Sequence, residues 1–394
     1  MKAQLRFIFS NNILKSIFDL MFKYIPLNIY AHFRPAKQCW LITERSGDAR
    51  DNGWVLFKWL RENHPEINVI YAIHKNAPDY VNVKDLGKVV EFGSWKHWLI
   101  FMTCSITCST DWSLGIPSPL CYLMMRNIFP PCSKRVFLQH GIIKDYMPQG
   151  AKNKLHADIF VCGAYPEWEY LTQVYGYTEG EVKYLGLCRY DRLINSSNKR
   201  QILFMPTWRA YLGKVDDFEE SNYYKKIKSL LCSSKLKSYL ENTDTEFIYF
   251  IHPAIKNKKK YFEKFQDERI RVLNNDDDDM QKYICSANML ITDFSSIYFD
   301  FAYQGKPVLY YHFDYEFYRK GHYAEGYFSY ENDGFGPIVK DESSLIEMIK
   351  IIGDNNWNLN GDYGSRIYRF FPMRDKNNCQ RHFDELCKLE SIIK

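Results

Sequence analysis

Two histidines close apolar runs, and each is followed by a residue that turns the chain: His140-Gly141 in RVFLQHGIIKDYMP (135–148) and His252-Pro253 in FIHP (250–253). Imidazole titrates near neutral pH, so it can take a proton from a hydroxyl or contact a phosphate oxygen. Gly141 permits a sharp turn, and Pro253 stops its run so that His252 projects from the end. Lys144, four residues past His140, is read as the start of a helix that brings positive charge to a phosphate pocket. A third segment, LITDFSSIYFDFAYQGKPVLYY (290–311), ends a run at Asp293 and opens a helix on Ser295 and Ser296. Serines at a helix start cap free N–H groups, and N–H groups left over bind phosphate with help from the helix dipole. Asp300 lies four residues past Ser296, so both can face one ligand, and ribose hydroxyls suit its carboxylate. In FMPTWRAYLG (204–213), Pro206 ends a run and Thr207 offers a hydroxyl and an N–H to a base or phosphate. Taken singly, each motif also reads as ordinary structure: a core histidine at a strand end, a solvated lysine, a capped helix.

These residues need elements to hold them. Short apolar runs alternate with helical stretches from residue 39 onward: CWLIT (39–43), INVIYAI (67–73), KVVEF (88–92), SITCS (105–109), RVFLQ (135–139), DIFVCG (158–163) and VKYLG (182–186). The rhythm repeats in QILFMP (201–206), EFIYFIHP (246–253), RIRVL (269–273), NMLITD (288–293) and KPVLYYH (306–312). Runs without polar alternation, separated by helices near 51–63 and 165–175 among others, predict buried parallel strands. The fold class is therefore α/β, with two doubly wound Rossmann-like domains facing a central cleft. The expected division is an N-terminal helical segment (1–30), a first domain (31–187) and a second domain (188–394). In such sheets ligands sit outside the carboxyl ends of the strands, where the histidines, Thr207 and the serine pair all fall. The loop Arg50-Asp51-Asn52-Gly53, after the first run, is the expected acceptor contact.

At 394 residues, with 46% hydrophobic and 25% charged content, the chain is a packed protein of about two domains. A net charge of +5 is too small and too dispersed to argue for nucleic acid, and suits a phosphate-bearing substrate or an anionic membrane surface. Eleven cysteines without a CxxC pair read as reduced, mostly buried thiols of a cytosolic protein. The acidic run Asp276 to Asp279 reads as a solvated helix start capped by Asp279, so no metal site is expected. In the first 30 residues, Ile13, Leu14, Ile17, Phe18, Met21, Phe22 and Ile25 share one helical face, with Lys15, Asp19 and Lys23 off it. Such a helix either lies in a membrane interface, giving peripheral contact through residues 5–25, or packs on the first domain.

HGIIK, LGLCRYDRL, MPTWR, IHP and ITDFSSIYFDFAYQGKPVLYY, in this order within residues 130–335, resemble the CDP-glycerol glycerophosphotransferase family, the teichoic-acid and capsule enzymes of the two-domain GT-B fold. Before residue 130 the resemblance is carried only by ERSGDARDNG (44–53). It implies transfer of glycerol phosphate, or a related alditol phosphate, from a CDP-activated donor such as CDP-glycerol to a lipid-linked or polysaccharide hydroxyl. CMP is released, and no cofactor or metal is implied. By position, His140 resembles the family's proposed base, beside Gly141 and Lys144. Arg189 matches the arginine of a Gly-x-x-Arg segment, and Pro206, Thr207, His252, Ser295, Ser296 and Asp300 match donor-binding positions. Phe250 stands where the family often carries arginine, which bears on the donor's identity. A nucleotide-sugar glycosyltransferase of the same fold, or a non-catalytic polysaccharide-binding scaffold, are the alternative readings.

Overall fold

Apolar runs without alternation are stable only where both faces of a sheet are covered, and here helices cover both faces of two parallel sheets. The computed structural model describes residues 15–33, 37–125, 127–197, 199–213, 218–321 and 324–393. The first sheet has seven strands: β1 (Lys37–Thr43), β2 (Val69–Ile73), β3 (Lys88–Glu91), β4 (Cys104–Ser109), β5 (Lys134–Phe137), β6 (Ile159–Cys162) and β7 (Val182–Tyr184). The second has six: β8 (Gln201–Phe204), β9 (Glu246–Phe250), β10 (Ile270–Leu273), β11 (Met289–Thr292), β12 (Val308–Tyr311) and β13 (Ile338–Val339). All the pairings are parallel. Every run singled out in the sequence is one of these strands, and only the two-residue β13 was too short to show a pattern. The helices expected near 51–63 and 165–175 are Asn52–Asn63 and Tyr165–Val174.

The strand orders are β3-β2-β1-β4-β5-β6-β7 and β10-β9-β8-β11-β12-β13. Each sheet therefore reverses its winding once, between β1 and β4 and between β8 and β11. At such switch points the loops on either side diverge and leave a crevice at the carboxyl ends. Thr207, after β8, and Ser295–Ser296, after β11, flank the second crevice. The loop after β1 borders the first.

The expected boundary at 188 falls between the two sheets, but the last helix does not stay with the second. Asn378–Ile393 returns to the first sheet, where Leu386 and Leu389 join the core around Trp40 and Ile106. Glu390 accepts bonds there from Trp40 Nε1 (3.2 Å) and Ser105 Oγ (2.7 Å). The run at 276–279 behaves as expected, with Asp279 capping Met280–Ser286 through the N–H of Gln281. The eleven cysteines are all in the reduced form, most of them buried.

The N-terminal helix packs on the first domain with one face and leaves the other exposed. Ile13 and Leu14 lie outside the described residues. From residue 15 to 32 the helix packs on the first domain through Ser16, Asp19, Tyr24, Leu27, Asn28 and Ala31, all buried. Tyr24 Oη donates to Phe129 O (2.8 Å), and Asn28 Nδ2 donates to Phe129 O and Pro130 O (3.1 Å each). The apolar face read from the sequence points outward instead: Ile17, Phe18, Met21 and Phe22 are 46 to 59% exposed. Among the described residues no helix is long and apolar enough to cross a membrane.

Candidate active site

The loop after β1 is organised by a buried carboxylate. Glu44 is 2% exposed and accepts the N–H groups of Arg50 (3.0 Å), Asp51 (3.0 Å) and Trp54 (2.7 Å). It thereby serves the free donors at the start of Asn52–Asn63, whose N-cap residue, Asp51, makes no capping bond with its own side chain. Burial, reinforced by the Asp51 charge, pushes Glu44 up to about 8. A side chain at Gly53 would close this site, since a Cβ there would lie 3.0 Å from Glu44 Cγ. Asp51, released from capping, turns its carboxylate to the cleft, where Oδ2 lies 2.6 Å from His140 Nδ1.

His140 follows β5 by three residues. The turn is made by Gln139, whose φ of 60° lies in the left-handed region, so the conformational task expected of Gly141 falls on the preceding residue. Gln139 is held there by its own amide, which donates to Val161 O, and by Asn52 Nδ2, which donates to Gln139 O (2.8 Å). Beyond the histidine, Ile143 N donates to Glu167 Oε1 (2.5 Å), and burial pushes Glu167 up to about 7. The His140 side chain itself is 75% exposed. Facing a carboxylate, Nδ1 must carry the proton, which leaves the Nε2 lone pair open. Asp51 raises the His140 pKa above the ordinary imidazole value, with Arg189 and Arg45 acting the other way.

Gly141 has a spatial role. A Cβ there would lie 3.2 Å from Ser296 Oγ and 3.9 Å from Arg189 Nη2, so glycine lets loops from the two sheets meet. Arg189 sits in the short helix Cys188–Arg192 and spans that meeting point. Its Nη1 donates to His140 O (2.6 Å) and Asp51 Oδ1 (3.3 Å), and its Nη2 and Nε donate to Asp300 Oδ1 (2.8 Å) and Oδ2 (3.2 Å). Asn52 Oδ1 accepts from Arg189 N (3.0 Å) and completes the junction. Two expectations change here. Asp300 is 3% exposed with both oxygens on Arg189, so its partner is the guanidinium and not an open ribose site. Arg189 in turn spends most of its donors on protein groups.

On the second sheet, Asp293 ends β11 and orders the crevice. Its Oδ1 accepts from Thr207 N (2.7 Å) and Phe294 N (2.5 Å), and its Oδ2 pairs with Arg209 Nη2 (2.7 Å). Arg209 is 1% exposed and also pairs with Asp314 (2.8 and 2.7 Å). Thr207 Oγ1 is buried without a hydrogen-bond partner, as a hydroxyl awaiting a ligand would be. Ser295 and Ser296 form a turn ahead of the helix, which begins at Tyr298; Ser295 Oγ accepts from Ile297 N at 3.5 Å. His252 Nδ1 accepts from Ala254 N (3.2 Å), so its ring proton belongs on Nε2. Burial holds its pKa down at about 4, which makes it a neutral hydrogen-bond donor at physiological pH.

Two further positions stand apart. Lys144 starts no helix, since the next helical turn is the short 3-10 helix Pro148–Gly150. It is 6% exposed, paired with Asp145 and set over the Tyr330 ring, away from solvent. Phe250 lies in the core against Tyr283, so nothing at that position faces the cleft. Asp51 and Asn52, read from the sequence only as an acceptor loop, prove to be partners of His140 and Arg189. Glu167 carries no sequence signal of its organising role, whereas Glu44 closes the first apolar run and Arg209 supports the turn that follows Pro206. Among the described residues no group of three or more His, Cys, Asp or Glu side chains is set to hold a metal.

A family model described as CDP-glycerol:poly(glycerophosphate) glycerophosphotransferase matches residues 27–388. The chain is 29% identical over 370 residues to the minor teichoic acid biosynthesis protein GgaB of Bacillus subtilis, covering 90% of this chain and 40% of that protein. It is 24% identical over 373 residues to the teichoic acid poly(glycerol phosphate) polymerase of the same organism, covering 86% and 47%. It thus spans less than half the length of these two relatives. The solved structure of the wall teichoic acid polymerase TagF superposes with a TM-score of 0.69 at 16% identity, over 100% of both chains. At that identity the likeness establishes the fold, the two-domain GT-B arrangement.

Proposed function

The chain belongs to the CDP-glycerol:poly(glycerophosphate) glycerophosphotransferase family, and we propose that it moves glycerol phosphate, or a related alditol phosphate, from a CDP-activated donor to a cell-envelope acceptor. The observation that carries this reading is the pairing of Asp51 with His140, which leaves Nε2 free at the meeting of the two sheets. In the proposed reaction Nε2 takes the proton of an acceptor hydroxyl. The oxygen forms a bond to the alditol-bearing phosphorus, the phosphoanhydride bond breaks, and CMP leaves with the electron pair. His252 Nε2–H, Ser296 and the unpartnered Thr207 hydroxyl are the donors for the phosphate oxygens and nucleotide. Preorganised donors of this kind supply the largest part of the rate gain in phosphoryl transfer. The test is CMP release from purified protein given CDP-glycerol, CDP-ribitol or a nucleotide sugar, each with and without a lipid-linked acceptor. Acceptor-dependent CMP from a CDP-alditol is expected. Transfer of labelled sugar from a nucleotide sugar, with both CDP-alditols inert, would replace this reading by a glycosyltransferase.

The acceptor side of the proposal includes a membrane surface, on the cytoplasmic face where a lipid-linked acceptor would be presented. Ile17, Phe18, Met21 and Phe22 continue into Leu123, Met124 and Ile128, which are 55 to 65% exposed. The two segments are joined where Cys121 Sγ donates to Ser16 O (3.1 Å). Each aromatic side chain moved from water into an interface contributes on the order of 1–2 kcal/mol. Phe18→Ser with Phe22→Ser should weaken co-sedimentation with phosphatidylglycerol-containing vesicles about tenfold or more. Unaltered partitioning of a folded double variant would remove this surface from the proposal.

A further inference from the structure

Resting on the reaction proposed above, we propose that Asp51 is the positioning residue of the base at His140, and that the second sheet acts on the same carboxylate through Asp300 and Arg189. Four side chains form an unbroken series. Asp300 holds Arg189 through two bonds, Arg189 Nη1 reaches Asp51 Oδ1 at 3.3 Å, and Asp51 Oδ2 reaches His140 Nδ1 at 2.6 Å. Their exposures show what each contributes. The His140 side chain is 75% exposed and has no packing to fix its ring, whereas those of Asp51, Arg189 and Asp300 are 14%, 13% and 4% exposed. Orientation therefore comes from the more enclosed members and is delivered to the exposed one. Arg189 Nη1 also holds His140 O at 2.6 Å, so ring and backbone are tied to the same guanidinium.

The series crosses from one sheet to the other. Asp300 belongs to the helix after β11, while Asp51 and His140 follow β1 and β5. If the sheets part, the Arg189–Asp300 contact is the one that breaks. The Arg189 charge then falls on Asp51 alone and weakens its hold on His140. The base has its full strength only with the two sheets together, which is also when donor and acceptor groups meet.

The charged groups facing His140 are Asp51, Asp48 and Arg45 from the loop after β1 and Arg189 from the inter-sheet segment, and the neutral but titratable His252 faces it from the second sheet. Asp51 favours the imidazolium; Arg189 and Arg45 oppose it. Asp51→Asn removes the attraction, so the His140 titration should move to lower pH by about one unit or more. Asp300→Asn leaves the Arg189 charge uncompensated and should move it the same way by a smaller amount.

The experiment is histidine NMR titration of the full chain, with the His140 signal identified by its absence in His140→Gln. In the unsubstituted protein, the nitrogen shifts at high pH should show the proton on Nδ1, which tests the assignment even if a variant fails to fold. Both Asn variants should shift the titration downward, and Asp51→Asn should lower kcat for acceptor-dependent CMP release by about 10²-fold or more with little change in donor KM. A proton on Nε2 in the parent, or an unmoved His140 titration in folded Asp51→Asn, would overturn the proposal. Turnover of a CDP-alditol with that titration unmoved would leave the proposed reaction standing without the relay. The expected shifts without turnover of any donor would leave the relay standing without the reaction.

Discussion

His140→Ala should lower acceptor-dependent CMP release by about 10²- to 10⁴-fold, the range a positioned general base contributes. The substitution removes the ring that presents an open imidazole nitrogen beside Asp51. It should do so without unfolding the protein, because the side chain is 75% exposed and fills no core space. Loss of an exposed side chain changes stability by less than about 1 kcal/mol, apart from what the Asp51 contact supplies. Asp51 is half-buried beside that ring and keeps its bond from Arg189, so its carboxylate stays paired after the substitution. Donor binding should therefore survive while the chemical step is lost. The readouts are single-turnover CMP release, donor affinity by calorimetry and the thermal transition. Turnover within a few-fold of the parent, in a folded variant, would take the base assignment away from His140.

Arg209→Met carries the largest expected loss of stability. The guanidinium is 1% exposed and pairs with two carboxylates, those of Asp293 and Asp314, whose side chains are 0% and 3% exposed. It also donates to Thr207 O at 2.5 Å. Methionine fills much of the volume but leaves two buried negative charges facing each other. Breaking a buried pair from one side costs about 3–5 kcal/mol. The sign with pH follows from the carboxylates. Without Arg209, two buried negative charges repel each other, and protonation of either one relieves the repulsion in the folded state. A carboxylate relieved in this way is most favourable to folding when protonated, so the deficit should shrink as pH falls and widen as pH rises. Urea unfolding at pH 5.5 and pH 8 measures both the size and the trend. A deficit below about 1 kcal/mol at pH 8 would show that the Asp293–Arg209–Asp314 group is not what holds the crevice together. Because Asp293 also fixes Thr207 N and Phe294 N, donor affinity should fall along with stability.

Much of the architecture was legible in the chain. Runs such as SITCS and QILFMP have no polar alternation, and in the structure β4 and β8 are buried along their whole length. A strand covered on both faces must be apolar throughout, so its pattern survives in the sequence whatever its neighbours are. The carboxyl-end rule then placed His140, Thr207, His252 and Ser296 at the ends of their strands. The N-terminal helix shows where pattern stops. Its periodicity was visible, but the face that packs inward carries Ser16, Asp19 and Asn28, and the apolar face looks outward. Periodicity reports that a helix has two faces. It does not report which one the rest of the protein covers.

By itself, the sequence determined the strands, their grouping into two parallel sheets and the residue types that end them. It could do so because hydrophobic period and turn chemistry are local properties. Only the tertiary structure decided which of those residues act together. Asp51 and His140 lie 89 positions apart, and Arg189 and Asp300 lie 111 apart. Such partners are set by strand order, which puts β1 beside β4 and β4 beside β5, and by how the second sheet meets the first. The same holds for the reassigned residues. Whether Asp300 faces a ribose or a guanidinium, and whether Lys144 faces a phosphate or Asp145, depends on which charge lies nearest once water is excluded. A buried carboxylate without a partner is too costly to keep, so the fold supplies the partner from whichever segment the sheets bring within reach.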